Sequence, residues 1–97
     1  MLDFLIEYGI SDRVINKIEH VNSRAYIYYL YCNCDAVIKI LKYFNELKIN
    51  SIDELLIYRI EIFFNSLEDI TKSFSKYDIN YLVEQINNDF SFIDEIN

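Results

Sequence analysis

Apolar residues recur at intervals of three and four along most of the chain, a spacing typical of helices that bury one face. The first stretch, with Leu2, Leu5 and Ile6 on its apolar face, ends at Gly9. Glycine readily adopts the left-handed conformation with which many helices end. Ser11 can then cap a second helix. The apolar side of this second helix is expected to consist of Val14, Ile15, Ile18 and Val21.

The segment 25–34 is ambiguous, because it is rich in residues that favour strands but lacks the polar alternation of a half-buried strand. No other window of the sequence could pair with a lone strand here, so a helix is preferred. After this segment, Asp35 can cap a further helix. The apolar positions of that helix are Val37, Ile38, Leu41, Phe44 and Leu47.

Capping residues mark the helices of the second half. Ser51 and Glu54 have the spacing of a capping box, in which each side chain bonds the backbone amide of the other, so a helix is expected to begin at residue 52. This helix should give way near Asn65. Ser66 and Asp78 can cap two further helices. The residues expected to face inward from the helix that begins at 52 are Leu55, Leu56, Ile60 and Phe63.

The composition agrees with a fold of short helices and tight connections. The chain has 97 residues, 53% of them hydrophobic, with no proline and one glycine. A chain of this length is expected to form one domain. We therefore predict a single all-α domain over residues 1–97, a small bundle or short array of five to six helices. The tail, residues 89–97, is apolar and acidic and is expected to dock on the body or on a partner.

A repeated pattern supports the array. An isoleucine, a capping residue and an amphipathic helix recur near Ile10, Ile49 and Ile79, an irregular period near that of helical solenoids. The segments 47–56 and 60–70 resemble one repeat of the mitochondrial transcription termination factor family, and the resemblance extends over residues 38–86. It implies stacked short helices. That family binds nucleic acid along a basic concave face, which acids replace in this sequence, and none of the family's functional residues carries over.

The pattern also bears on membranes and compartment. The longest stretch without a charged residue, 25–34, is far shorter than the roughly 18 apolar residues that cross a bilayer. The first seven residues include Asp3 and Glu7 and no base, unlike a secretory leader. No membrane association and a cytoplasmic location are therefore expected. Cys32 and Cys34 are too few and too close for a disulfide framework, so reduced thiols are expected.

Charge is distributed unevenly. The net charge is −7, and residues 46–97 hold eleven acids and four bases, whereas residues 1–45 hold five of each. Nucleic-acid binding draws much of its free energy from Lys and Arg that replace counterions on phosphates. Direct binding of nucleic acid or of an anionic membrane is therefore disfavoured. Acidic surface also keeps an apolar protein soluble, which is the simpler interpretation.

Candidate catalytic chemistry is sparse. His20 is the only histidine, and no nucleophile motif accompanies it, so it is interpreted as a surface residue near a helix end. Cys32 and Cys34 lack the spacing of common zinc sites. Adjacent carboxylate pairs such as Asp53 and Glu54 diverge on a helix rather than converge. We predict no enzyme, no cofactor and no metal site.

Tyrosines are the least ordinary feature. Aromatic rings among basic residues can stack on single-stranded bases, but tyrosine also anchors protein interfaces, and the net charge favours the interface. We therefore expect a protein–protein interaction module or small regulatory subunit, a homodimer or part of a complex. The partner-binding candidates in this segment are Arg24, Tyr26, Tyr28, Tyr29, Tyr31 and Tyr43.

Two alternatives remain open from the sequence. In the first, Asp89, Asp94 and Glu95 bind the phosphate groove of a basic nucleic-acid-binding protein, as small antitoxins or phage-encoded inhibitors can do. In the second, a helical-repeat surface binds nucleic acid directly. That second function would need a basic stripe assembled from Arg24, Lys39, Lys42 and Lys48.

Overall fold

The computed structural model of the chain describes residues 1–96, and these form helices with no strand among them. The predicted all-α class is confirmed. Asn97, the last residue of the predicted tail, lies outside the described residues. The α-helices are α1 (Asp12–Val21), α2 (Arg24–Cys32), α3 (Cys34–Glu46), α4 (Ile52–Tyr58), α5 (Leu67–Phe74) and α6 (Ile79–Asn88). The 3-10 helices are η1 (Asp3–Tyr8), η2 (Ile60–Phe64) and η3 (Phe90–Glu95).

Most of the predicted N-caps form. The predicted caps Ser11, Ser66 and Asp78 each accept a hydrogen bond from the backbone amide three residues later, at 3.1–3.2 Å, and so does Ser23, which was not predicted as a cap. Such a bond satisfies one of the free amides at a helix start and contributes about 1 kcal/mol. The preference for a helix over residues 25–34 is also confirmed, because α2 spans Arg24–Cys32 and α3 begins at Cys34.

The first element is a 3-10 helix. Gly9 ends η1 in the left-handed conformation with φ of 89°, as predicted. Leu2 and Leu5 are buried, but the expectation that Ile6 lies on the same face is wrong, since Ile6 is 48% exposed. A 3-10 helix has about three residues per turn, so residues three apart align and the next one points elsewhere. Val21, predicted to lie inward from α1, is also exposed, at the last position of that helix.

The cap predicted for α3 is wrong. Asn33 ends α2 and directly precedes α3, and the Asp35 side chain lies in the first turn without capping it. The reason is the length of the connection. A single residue joins the two helices, so α3 has begun before Asp35 is reached. Asn33 does not cap α3 with its side chain either, because its amide donates to the carbonyl oxygen of Tyr29 at 2.9 Å.

The capping box predicted at Ser51 and Glu54 does not form, although α4 begins at residue 52 as expected. Ser51 has φ of −103° and ψ of 27°, outside the extended conformation that N-cap residues adopt. Its hydroxyl is buried and donates to the carbonyl oxygen of Ile86 in α6 at 3.4 Å. A tertiary contact has therefore replaced the local one.

The helix predicted to run from residue 52 to Asn65 is divided in two. The backbone leaves the helical region at Arg59, where φ is −137° and ψ is 43°, and η2 follows. Ile60 and Phe63, three residues apart, are both buried, as predicted. The break gives the second piece the three-residue spacing of a 3-10 helix, which places both side chains in the core.

Aromatic rings occupy the centre of the core. Phe44 of α3 stacks on Phe74 of α5 with ring centroids 5.9 Å apart, and it meets the edge of Phe63 at 5.7 Å. All three side chains are almost completely buried. Asn22 joins α1 to α4, because its side-chain amide donates to the carbonyl oxygen of Ile57 at 3.0 Å. The pieces of the chain thus share one hydrophobic core.

The tail lies on the body. Ile93 of η3 is buried in the core cluster, and Phe90 stacks on Tyr58 of α4 with ring centroids 5.8 Å apart. The Tyr77 hydroxyl donates to the carbonyl oxygen of Glu95 at 3.2 Å.

None of the helices formed by residues 1–96 combines the length and the apolar character needed to cross a bilayer.

Candidate interaction surface

Helix α2 exposes most of its aromatic side chains. Tyr26 is 38% exposed, Tyr28 59%, Tyr29 43% and Tyr31 48%. Only two of the nine residues of α2 are buried, Ile27 and Leu30. Because these two lie close together on the helix, α2 contributes a narrow stripe to the core. The rest of its circumference faces outward.

This outward face carries no carboxylate. We call it the α2 surface and define it by Ala25, Tyr26, Tyr28, Tyr29, Tyr31 and Cys32. The nearest acids along the chain are Glu19 and Asp35, although the chain as a whole has a net charge of −7. Arg24 begins the helix, is exposed, and forms no hydrogen bond or ion pair within residues 1–96.

One side of the α2 surface packs against Phe64 of η2. Phe64 meets the Tyr26 ring edge-on, with centroids 5.2 Å apart, and the Tyr29 ring at 4.4 Å. Such contacts limit the rotation of the two tyrosine rings and lower the entropy they would lose on binding. On the other side, Tyr28 and Tyr31 contact no aromatic ring in the described part of the chain. The α2 surface thus has a supported half and a solvated half.

Tyr28 interacts with the next turn of its own helix. Its pKa is raised, first because its side chain hydrogen-bonds to that of Cys32 and then because of the charge that Cys32 can carry. Cys32 is exposed, although a buried or half-buried thiol was expected. Along α2, the small residues Ala25 and Cys32 lie at the two ends of the α2 surface, and the four tyrosines lie between them.

The structure separates Tyr43 from the other candidates. It lies on α3, half-buried, with its ring 5.9 Å from Phe74 and 6.2 Å from Phe44. Burial raises the pKa of its phenol. Tyr43 thus contributes to the aromatic core, whereas the four tyrosines of α2 contact η2 or solvent. Tyr43 lies three residues after the buried Ile40, beside the buried face of α3.

The acidic candidates are near one another in the tail, and two of them bond within the chain. Asp94 forms an ion pair with Arg59 at 3.0 Å. Asp89 caps η3, and hydrogen bonds from the Ser91 side chain and then the Ser91 backbone amide lower its pKa. Glu95 is exposed. The role of Arg59 was missed from the sequence, because its partner lies 35 residues away.

Groups that could support other chemistry are scattered. His20 is exposed near the end of α1, and no cluster of metal-ligating side chains occurs in residues 1–96. Of the basic stripe that nucleic-acid binding would need, Lys42 lies 5.9 Å above the Tyr8 ring and Lys48 follows the end of α3. Lys39 is exposed on α3, and Arg24 is the one member of this predicted stripe that lies on α2.

No family model, curated protein or solved structure matches this chain. The resemblance of residues 38–86 to mitochondrial transcription termination factor repeats therefore stays a prediction.

Proposed function

We propose that this protein is a non-enzymatic protein–protein interaction module or small regulatory subunit that binds its partner through the α2 surface. The observation that carries this proposal is the exposure of four tyrosines on one helix that bears no carboxylate. Tyrosine supplies a large contact area with little loss of side-chain entropy, and its hydroxyl tolerates solvent in the unbound state.

The size of the surface supports a specific contact. A tyrosine buries roughly 150–250 Å² when it is covered, so the exposed parts of the four rings offer on the order of 400 Å². That is comparable with the largest apolar patches of monomeric proteins, about 300–600 Å², which are often functional. Ala25 and Cys32 extend the uncharged area at both ends.

Charge weighs against the nucleic-acid alternative. Sequence-independent binding of a single strand combines stacking rings with bases that track the phosphates. The α2 surface has the rings, but Arg24 is the only lysine or arginine within residues 18–38. With a net charge of −7, the remainder of the chain repels phosphate. We therefore prefer a protein partner.

Local bonding weighs against the acidic-inhibitor alternative. Such an inhibitor would present free carboxylates to a basic groove. Here Asp94 is already paired with Arg59, and Asp89 is used to cap η3. Of the three acids, only Glu95 forms no side-chain bond within the described residues. Binding a basic partner through these acids would first require breaking the contacts that hold the tail.

Site-specific photo-crosslinking tests the proposal. The photoreactive residue p-benzoylphenylalanine is introduced in place of Tyr28 or Tyr31 in the native host, and crosslinked products are identified by mass spectrometry. Tyr81 of α6 is the matched control, because it is 52% exposed and lies outside the α2 surface. We expect a discrete protein crosslink from positions 28 and 31 and none from position 81. Equal or absent crosslinking at all three positions would disprove the proposal.

A further inference from the structure

The sequence of α2 is nearly the same, in residue class, when read in either direction. Its centre lies between Tyr28 and Tyr29. From the centre outward, each position is matched by one of the same kind. The matched pairs are Tyr28 with Tyr29, Ile27 with Leu30, Tyr26 with Tyr31, and the small residues Ala25 with Cys32.

Helix geometry gives this symmetry a spatial meaning. Successive residues of an α-helix are turned by about 100°. Ile27 and Leu30 are buried and define the inner side of α2. The residues opposite them are Ala25 and Cys32, with Tyr28 and Tyr29 on either side of the line that joins the two. The outermost ridge of α2 therefore has small residues at its ends and tyrosine rings at its middle.

We infer that the partner of the α2 surface is a second copy of this chain, with the two α2 helices antiparallel across a two-fold axis between Tyr28 and Tyr29. This inference rests on the proposed function and names its partner. In a two-fold interface the same patch is used by both copies, and each contact occurs twice. Tyr28 then faces Tyr29 of the second copy, and Ala25 faces Cys32 of the second copy.

The charges fit this pairing. Two chains of net charge −7 repel each other, so a stable contact between them must keep carboxylates away from its centre. α2 itself contributes no carboxylate to this contact, since no acid lies between Glu19 and Asp35 in the sequence. Repulsion between the remaining acids acts over distances that salt screens, with a Debye length of about 8 Å at physiological ionic strength. Added salt should therefore strengthen the dimer, whereas it would weaken binding to a basic partner.

Arg24 gives the pairing its direction. It is the first residue of α2, where the positive end of the helix dipole disfavours a cation. In the antiparallel arrangement, Arg24 lies beside the C-terminal end of the second copy's α2, near Asn33 and its neighbouring carbonyl groups. The negative end of a helix dipole stabilises a cation. A parallel pairing would instead bring the two arginines together.

The area indicates a weak dimer. Tyr26 and Tyr31 lie about 110° from the outermost line of α2, so the rings that face the second copy are those of Tyr28 and Tyr29. Their exposed parts offer roughly 200 Å² per copy, about a quarter of the 800 Å² per partner that a standard interface buries. We expect association at high micromolar concentration, with monomers at lower concentration. Sedimentation velocity at several concentrations, in low and in high salt, measures this equilibrium.

Disulfide trapping tests the arrangement directly. Ala25→Cys is made in a Cys34→Ala background and oxidised with glutathione disulfide. In the antiparallel dimer, residue 25 of each copy faces Cys32 of the other, so we expect a covalent dimer on a non-reducing gel. Residues 25 and 32 of one chain are about 10 Å apart along α2, beyond the roughly 7 Å that a disulfide can span, so no bond forms within a chain.

Two controls separate this arrangement from chance collision. Cys34→Ala alone should stay monomeric on the gel, because the two Cys32 residues of an antiparallel pair are also about 10 Å apart. Tyr81→Cys in the same background reports random collision between exposed thiols. Crosslinking of Cys34→Ala as efficient as that of the Ala25→Cys variant would overturn the antiparallel pairing, as would a monomer in every variant. Circular dichroism establishes that each variant is folded.

The outcomes also distinguish this inference from the function on which it rests. If sedimentation finds only monomers while position 28 crosslinks to a different protein in the host, the second copy is wrong and the interaction module stands. If position 28 crosslinks to nothing, both fall. A crosslinked product of twice the mass of the chain, lost in a Tyr29→Lys variant, supports both.

Discussion

The Asn87 side chain accepts a hydrogen bond from the backbone amide of Asn50 at 2.8 Å, and this bond ties α6 to the loop that precedes α4. The same side-chain amide donates to the carbonyl oxygen of Lys48 at 3.1 Å. One asparagine thus satisfies a donor and an acceptor of a loop that has no secondary structure of its own. Beside it, the carbonyl oxygen of Ile86 accepts from the Ser51 hydroxyl.

The two hydrogen bonds of the Asn87 side chain, which we call the Asn87 clamp, predict that its removal lowers the stability of the fold. Asn87→Ala removes both bonds and should lower the free energy of unfolding by about 1–3 kcal/mol, since each loop group is left without its protein partner. Asn88→Ala is the control, because Asn88 is exposed and its side chain bonds nothing in residues 1–96. Urea denaturation measures both. Equal losses in the two variants would show that the clamp contributes no stability.

The absence of a capping box between Ser51 and Glu54 leads to a second prediction. Ser51→Ala should destabilise the fold by about 1 kcal/mol through the lost bond to α6, whereas Glu54→Gln should have little effect. In a true capping box the two changes would be coupled, because each residue bonds the other. We therefore expect the double variant to show the sum of the single effects. A coupling energy above about 0.5 kcal/mol would contradict this geometry.

Lys48 predicts a change that stabilises the protein. It adopts φ of 64°, the left-handed region that costs a residue with a side chain about 1–2 kcal/mol. Lys48→Gly should therefore raise the free energy of unfolding by about 1 kcal/mol. Lys39→Gly, in the middle of α3, should lower it by about 1 kcal/mol, because glycine is unfavourable inside a helix. Changes of the same sign at both positions would refute the prediction.

Asp89 predicts a dependence of stability on pH. Its pKa lies below the ordinary value because the folded chain donates hydrogen bonds from Ser91 to the carboxylate. The folded state therefore binds fewer protons than the unfolded state in acid. The stabilisation is complete above the unfolded pKa, about 3.9, and is lost as pH falls through the folded pKa. Ser91→Ala should move the NMR-detected pKa of Asp89 upward and make stability less dependent on pH in that range.

Ionisation of Asp53 should change stability in the opposite direction from ionisation of Asp89, so Asp53 serves as the comparison. Partial burial, and then the charge of Glu54, raise its pKa above the ordinary value. The folded state thus holds this proton more tightly, so ionisation of Asp53 lowers stability as pH rises from the unfolded to the folded pKa. Ser91→Ala should leave this second titration unchanged. A shift of both carboxylates in that variant would indicate a global change rather than the loss of one bond.

Local features of the sequence carried most of the fold class. Ser11, Ser66 and Asp78 cap the helices that follow them because a cap bonds an amide three residues away, and that partner is present in any conformation that starts a helix there. Gly9 ends η1 for a similarly local reason, since only glycine adopts positive φ without a steric cost. The existence and the order of these helices were therefore predictable.

In the tyrosine-rich segment, the local sequence pattern was sufficient to predict a helix. It was not sufficient to predict which tyrosines are exposed. Its helix could be chosen because a lone strand would lack a partner. Which tyrosines are exposed depended on the path of η2, since Phe64 covers one side of Tyr26 and Tyr29. Tyr43 lies in the core because Phe74, far along the chain, packs against it.

The sequence by itself determined an all-helical chain, its capping residues and the absence of acids on α2, because these depend on residues within a few positions of one another. Only the tertiary structure decided that Ser51 bonds α6 rather than Glu54, that the chain breaks at Arg59, and that Asp94 is paired. The two contacts join groups that are 35 residues apart in the sequence. Such groups come into contact only when packing of the core brings their helices together, and the local spacing of residues does not predict such contacts.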